Sequence, residues 1–135
     1  MDDLKNELFL IAGEKYNSYI KNGMTSNKYP PYKASGMAYI RFAREERELF
    51  RMLFMRDRTG EDKTHDFDEI ENLIEIIGNN LSISKVDAKR LHLEMWIFVH
   101  GIATMLVTGT ADYTEEEISC MLTDAYKGLS SQVKE

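Results

Sequence analysis

The sequence predicts an all-α fold, a bundle of five or six helices. The first observation is that apolar side chains recur every three or four residues along each segment, which is the spacing of one helix face. The second is a pair of helix-start signatures, Ser84-Lys-Val-Asp87 and Thr114-Glu-Glu-Glu117, in which a hydroxyl and an acid each satisfy a backbone N–H group. The third is that the chain has only two prolines, both adjacent, and no convincing strand pattern.

The first half of the chain is predicted to form three helices. Asp2-Asp3 begins the first helix because carboxylates favour the positive end of the helix dipole, and Asn22-Gly23 is a signal that ends it. A loop follows, and the helical pattern resumes at Pro31. It continues to about Met55 as two helices that meet near Arg44-Glu45-Glu46.

The second half is predicted to form three more helices. One apolar stripe covers the segment from Phe67 to Leu81. The signature at Ser84 begins a long apolar helix that ends at Gly109, and the signature at Thr114 begins the last helix.

Composition places the 135 residues in one globular domain, because 43% are apolar and 30% are charged. A net charge of −6 provides no overall field for nucleic acid. The single Cys120 cannot form an internal disulfide, so a reducing compartment is expected. The acidic N-terminus does not resemble a signal peptide, and no apolar run approaches the roughly 18 to 20 residues that span a bilayer. We therefore expect a cytoplasmic protein with no membrane association.

The long helix is apolar on nearly every side, which indicates burial on more than one side. The last helix also has surplus apolar side chains. These two helices are therefore predicted to form a homodimer through a four-helix bundle, the alternative being enclosure of the long helix within a monomer. The predicted interface residues are Leu91, Met95, Phe98, Ile102, Ile118, Met121, Leu122, Ala125 and Leu129.

His100 and Gly101 lie in the middle of the long helix, where neither residue is favoured. Glycine costs about 1 kcal/mol relative to alanine in a helix interior, so Gly101 is predicted to let a neighbouring helix approach closely. A buried imidazole needs a partner. His100 is either a core histidine bonded to a carbonyl or hydroxyl, or a polar group that orients a ligand in an apolar cavity. The sequence leaves both interpretations open.

Three stretches resemble the regulatory domain of tetracycline-repressor-like (TetR family) transcriptional regulators. Trp96-x-x-x-His100-Gly101, followed by Leu106 and Gly109, is similar to the C-terminal WHG domain of that family. Lys33 to Met55 resembles its bent helix pair. Asp2 to Phe9 resembles the passage from the DNA-binding helices into the first regulatory helix.

The resemblance implies a domain that binds a ligand, dimerises and controls DNA binding by an N-terminal helix-turn-helix. Only Met1 precedes Asp2, so the sequence is expected to lack that DNA reader and to reach DNA only through missing N-terminal helices. The alternative is a freestanding dimerisation or scavenging module without DNA binding. The expected effector is small and largely apolar. The candidate ligand-binding residues are Phe9, Tyr39, Phe42, Met52, Met55, Trp96, His100 and Ala103.

Catalysis and metal binding are not expected. His92 and His100 share a helix face but are eight residues apart, about 12 Å along the axis, which is too far for one zinc ion. No nucleophile elbow, phosphate loop or dinucleotide fingerprint occurs. The sequence therefore predicts a protein that is not an enzyme, with no cofactor and no metal.

Overall fold

A computed structural model describes residues 2–60 and 67–133 of the chain. These residues form six helices and no strand, so the predicted all-α class is confirmed. The helices are α1 (Asp2–Thr25), α2 (Pro31–Glu45), α3 (Arg47–Phe54), α4 (Phe67–Leu81), α5 (Lys85–Thr108) and α6 (Glu115–Val133).

The predicted signals at both ends of α5 and at the start of α6 act where the sequence places them. The Ser84 hydroxyl accepts from the Asp87 backbone N–H at 3.1 Å, and Gly109 ends α5 in the left-handed conformation with a φ of 75°. At α6 the capping box is complete. The Thr114 hydroxyl accepts from the Glu117 N–H at 3.1 Å, and the Glu117 carboxylate accepts from the Thr114 N–H at 2.8 Å.

Helix α1 continues to Thr25, past the Asn22-Gly23 pair that was expected to end it. A Cβ atom on Gly23 would lie 2.8 Å from the Ala38 Cβ, so the backbones of α1 and α2 meet here without an intervening side chain. Gly23 therefore permits close helix packing, and tertiary contact overrides the local stop signal.

Helix α5 is the centre of the bundle and packs against α2, α3, α4 and α6. One core cluster joins α5 to α2, α3 and α6 around Phe42 and Phe50, which are both fully buried. A second cluster joins α5 to α4 around Leu91 and Ile77. Helix α1 closes the bundle on the side of α2 and α3.

Helix α5 is also long and apolar enough to cross a membrane by length and composition, since an 18-residue window has a mean hydropathy of 1.4. The expectation that no apolar run reaches that length was therefore wrong. The central helix of a soluble protein passes the same test, and α5 contributes to both core clusters. Only 39% of the window is buried, because one side of α5 faces outward.

Candidate functional site

A cavity of about 890 Å³ is lined by residues from all six helices. Cavities that bind small molecules have volumes of about 300 to 1,000 Å³ and are mostly apolar, so this one is large enough for an organic ligand. Its aromatic and histidine lining residues are Tyr16, Tyr32, Tyr39, Phe54, His92, Trp96 and Tyr126. Its aliphatic lining includes Ile20, Leu53, Ile70, Leu73, Ile74, Leu93, Met95, Val99 and Leu122.

Three of the predicted ligand residues meet at one edge of this cavity. The Tyr39 hydroxyl lies 2.8 Å from His100 Nδ1, and the His100 ring stacks on Trp96 with centroids 4.9 Å apart and an angle of 12° between the ring planes. Tyr39 and Trp96 line the cavity, whereas His100, which contacts both of them, is not part of the described cavity wall. The histidine therefore has the hydroxyl partner that the core interpretation required, and it also orients two cavity residues.

A second pair of the same kind joins the same two helices. The Tyr32 hydroxyl lies 2.9 Å from His92 Nδ1, and both residues line the cavity. The Tyr32 ring also lies 5.7 Å from the Tyr126 ring on α6. The two tyrosines are seven residues apart on α2 and the two histidines eight apart on α5, so each pair is about two helical turns from the other.

Burial sets the protonation state of both pairs. It lowers the pKa of His92 and of His100, and it raises the pKa of Tyr32 and of Tyr39. All four groups are therefore neutral at pH 7. A tyrosine hydroxyl that donates to Nδ1 leaves the proton of the neutral imidazole on Nε2, where it is available as a donor.

The other predicted ligand residues do not line the cavity. Phe42 and Ala103 are fully buried in the first core cluster, because their sides of α2 and α5 face the neighbouring helices. Phe9 lies on the outer part of α1 with the Arg56 guanidinium 4.7 Å above its ring. Met52 and Met55, near the end of α3, are also absent from the described cavity wall. These five residues therefore lie outside the described cavity wall, and a role for them in ligand binding stays a prediction.

Sequence reasoning missed most of the true cavity wall, including Tyr32, His92 and Tyr126. A signal for two of them existed, since the Tyr32 to Tyr39 spacing on α2 nearly matches the His92 to His100 spacing on α5. The matching spacings predict two tyrosine–histidine contacts only when α2 and α5 are known to pack side by side in the same direction.

The predicted interface residues are divided by the fold. Five of them, Leu91, Met95, Ile102, Ile118 and Leu122, are buried in the core of the single chain, and they are therefore not available to contact a second copy. Phe98 is exposed, and Met121, Ala125 and Leu129 are half-buried.

The apolar surface that α5 presents outward differs from the predicted dimer interface. We call it the outer face of α5, and its residues are Leu93, Ile97, Phe98, Gly101 and Met105, of which Leu93 also borders the cavity. Ile97 is 58% exposed and Leu93 is 57% exposed. A Cβ atom on Gly101 would meet nothing within 4 Å, so no helix of the same chain approaches this glycine closely. The predicted close approach at Gly101 therefore has no counterpart within one chain.

Among residues 2–60 and 67–133, no group of three His, Cys, Asp or Glu side chains is arranged to hold a metal ion. The cavity wall offers neutral hydroxyl and imidazole groups and several basic side chains, which suit binding of an organic molecule.

A family model described as "Tetracyclin repressor-like, C-terminal domain" matches residues 32–124. No curated protein and no solved structure matches the chain. The matched segment contains α2, α3, α4, α5 and the first half of α6, and so most of the cavity wall. Because that segment is more than half of the 135 residues, the chain belongs to the tetracyclin repressor-like C-terminal domain family.

Proposed function

We propose that this chain is the ligand-sensing and dimerisation domain of a TetR-family transcriptional regulator, working in the cytoplasm. The observation that supports the proposal most directly is the 890 Å³ cavity bounded by all six helices. A ligand in such a cavity contacts every element of the bundle and can change how the helices pack.

The chemistry of the wall favours a largely apolar ligand. Rings from α1, α3 and α5 surround Tyr39, with ring centroids 6.0 Å away for Tyr16, 5.1 Å away for Phe54 and 6.2 Å away for His100. Rings at these distances give a large apolar contact area with defined geometry. The Tyr32–His92 pair adds hydrogen-bonding groups at one place in that wall, and a few placed polar groups fix the orientation of a ligand.

Helix α1 is the element through which a bound ligand would act on attached DNA-binding helices. Gly13, Tyr16, Asn17 and Ile20 line the cavity from α1, so a ligand contacts this helix directly. Control of DNA binding requires that the ligand have unequal affinity for two arrangements of α1, because tight binding alone shifts no equilibrium.

Dimerisation is proposed through α5 and α6, on the outer face of α5, which contains Phe98, together with Met121, Ala125 and Leu129 of the predicted interface. An outward row of large apolar side chains on the central helix is the kind of surface that a second copy covers in a helical dimer. Gly101, in the middle of that row, leaves room for a close helix contact between copies.

A cavity-filling substitution tests ligand binding. Gly13 lines the cavity and has open space around an added Cβ, so Gly13→Phe should fill part of the cavity without a clash. Gly128→Phe is the matched control, because Gly128 has the same open space but is not part of the described cavity wall.

The probe is the neutral apolar dye N-phenyl-1-naphthylamine, detected by quenching of Trp96, the single tryptophan of the chain and a cavity residue. We expect saturable one-to-one binding by the native chain and by Gly128→Phe, and about tenfold weaker binding by Gly13→Phe. Equal binding by all three proteins, or no saturable binding, contradicts the proposed function.

A further inference from the structure

Among the residues that the structure describes, every charged side chain that lines the cavity is basic. The chain as a whole has 23 acidic and 17 basic residues, yet the described wall includes no Asp or Glu. Its basic residues are Lys33, Arg56, Arg58, Lys89 and Lys127. The chain as a whole is therefore negative, whereas the charged side chains in the described cavity wall are positive.

Three of these residues are close in sequence to Tyr32, His92 or Tyr126, and all of them line the same cavity. Lys33 follows Tyr32 in α2, and Lys89 lies one turn before His92 in α5. Lys127 follows Tyr126 in α6, whose ring is 5.7 Å from the Tyr32 ring. The three lysines thus belong to the three helices, α2, α5 and α6, that bring Tyr32, His92 and Tyr126 to the cavity wall.

The charges of these lysines are not neutralised by the described side chains. Lys33 Nζ donates to the Thr123 hydroxyl at 2.8 Å and lies 5.2 Å from the centre of the Tyr29 ring, and both of these partners are neutral. Neither Lys89 nor Lys127 forms an ion pair with an acidic side chain within the described ranges. The positive charges of these three cavity-lining lysines are therefore available to a ligand.

From this arrangement we propose that the ligand is an amphipathic organic anion, with an apolar body among the aromatic rings and a carboxylate at the Lys89, Lys127 and His92 end. A carboxylate accepts charge-assisted hydrogen bonds from ammonium groups, and these bonds are stronger than neutral ones. The neutral imidazole of His92 supplies a further donor at Nε2 when Tyr32 donates to Nδ1. A cation of the same shape is repelled by the lysines. This inference rests on the proposed function, since it specifies the ligand of the same cavity.

The test compares three probes that share one ten-carbon chain: decanoate, 1-decanol and decylammonium. Their affinities are measured by isothermal titration calorimetry on the full chain at low salt. We expect decanoate to bind at least about tenfold more tightly than the other two. Its affinity should fall as salt is raised, whereas that of 1-decanol should not fall.

A double variant, Lys89→Gln with Lys127→Gln, should weaken decanoate binding about tenfold and leave 1-decanol binding unchanged. Both lysines are exposed, so the fold should persist, and circular dichroism checks this. The matched control is Lys21→Gln with Arg47→Gln, which removes two exposed positive charges away from the described cavity wall and should leave decanoate binding unchanged.

The results separate this inference from the proposed function. If the three probes bind equally and Gly13→Phe weakens all of them, the cavity binds ligands but does not select anions, and this inference is overturned alone. If decanoate does not bind, or binds equally to the native chain and the Lys89/Lys127 variant, the inference is also overturned. If neither the naphthylamine dye nor any ten-carbon probe binds, the proposed function is lost as well.

Discussion

Replacing Gly101 with alanine tests whether a second copy of the chain packs on the outer face of α5. An alanine Cβ at position 101 meets nothing within 4 Å in the single chain, and the same is true at Gly13 in α1. Alanine is favoured over glycine in a helix interior by about 1 kcal/mol. In a dissociated chain, both Gly101→Ala and Gly13→Ala should therefore raise the free energy of unfolding by about 1 kcal/mol.

The two variants should differ when two copies associate. Ile97 lies one turn before Gly101 and Met105 one turn after it, so the glycine is a gap between two large exposed side chains. A methyl group added at a tight helix contact costs about 1 to 3 kcal/mol. That cost corresponds to a dimer dissociation constant raised about 5- to 150-fold. Gly13→Ala should leave the constant unchanged.

Sedimentation equilibrium over a dilution series measures the dimer dissociation constants. Urea unfolding at protein concentrations below the dimer dissociation constant measures the free energy of unfolding of the single chain. Equal dissociation constants for the two alanine variants would refute the close approach at Gly101. A native chain that remains a monomer at the highest concentration would refute the dimer itself.

Two further predictions concern stability. Burial lowers the pKa of His92 and of His100. Below about pH 6.5 the unfolded chain therefore binds more protons than the folded chain. The free energy of unfolding should for this reason fall as the pH decreases through that value. Urea titrations across this range should show a shallower fall for His92→Gln, and an unchanged slope would contradict the cause. Gly23→Ala should destabilise the fold by about 1 to 3 kcal/mol, since its Cβ would lie 2.8 Å from the Ala38 Cβ. A thermal melt beside Gly13→Ala measures this, and a rise in melting temperature equal to that of the control would show that the helices move apart at little cost.

The ends of most helices could be predicted from the sequence because their causes are local. The Ser84 and Thr114 hydroxyls bond to backbone N–H groups three residues away. Gly109 ends α5 because glycine readily adopts the left-handed conformation with a positive φ. Pro31 begins α2, and the α2–α3 break falls at Glu46, as the pattern between Arg44 and Glu46 predicted. Gly23 was the exception, since its role depends on a contact with another helix.

The candidate site was predicted only in part. Tyr39 and Trp96 line the cavity, and His100 contacts both of them. Trp96 and His100 could be predicted because the Trp96 to Gly101 motif is a local pattern that the family resemblance identified. Tyr32 and His92 are 60 residues apart in the chain and 2.9 Å apart in space. No local pattern joins them.

The sequence by itself determined the helices, most of their limits, the all-α class and the family, since each depends on periodicity, on caps or on a short motif. The tertiary structure decided which side of α5 faces the core. A helix that is apolar on nearly every side has no pattern that selects one side, so Leu91 and Ile102 are core residues while Ile97 and Met105 face outward. The cavity and its basic lining have the same origin, because they exist only where side chains from six separate helices come together.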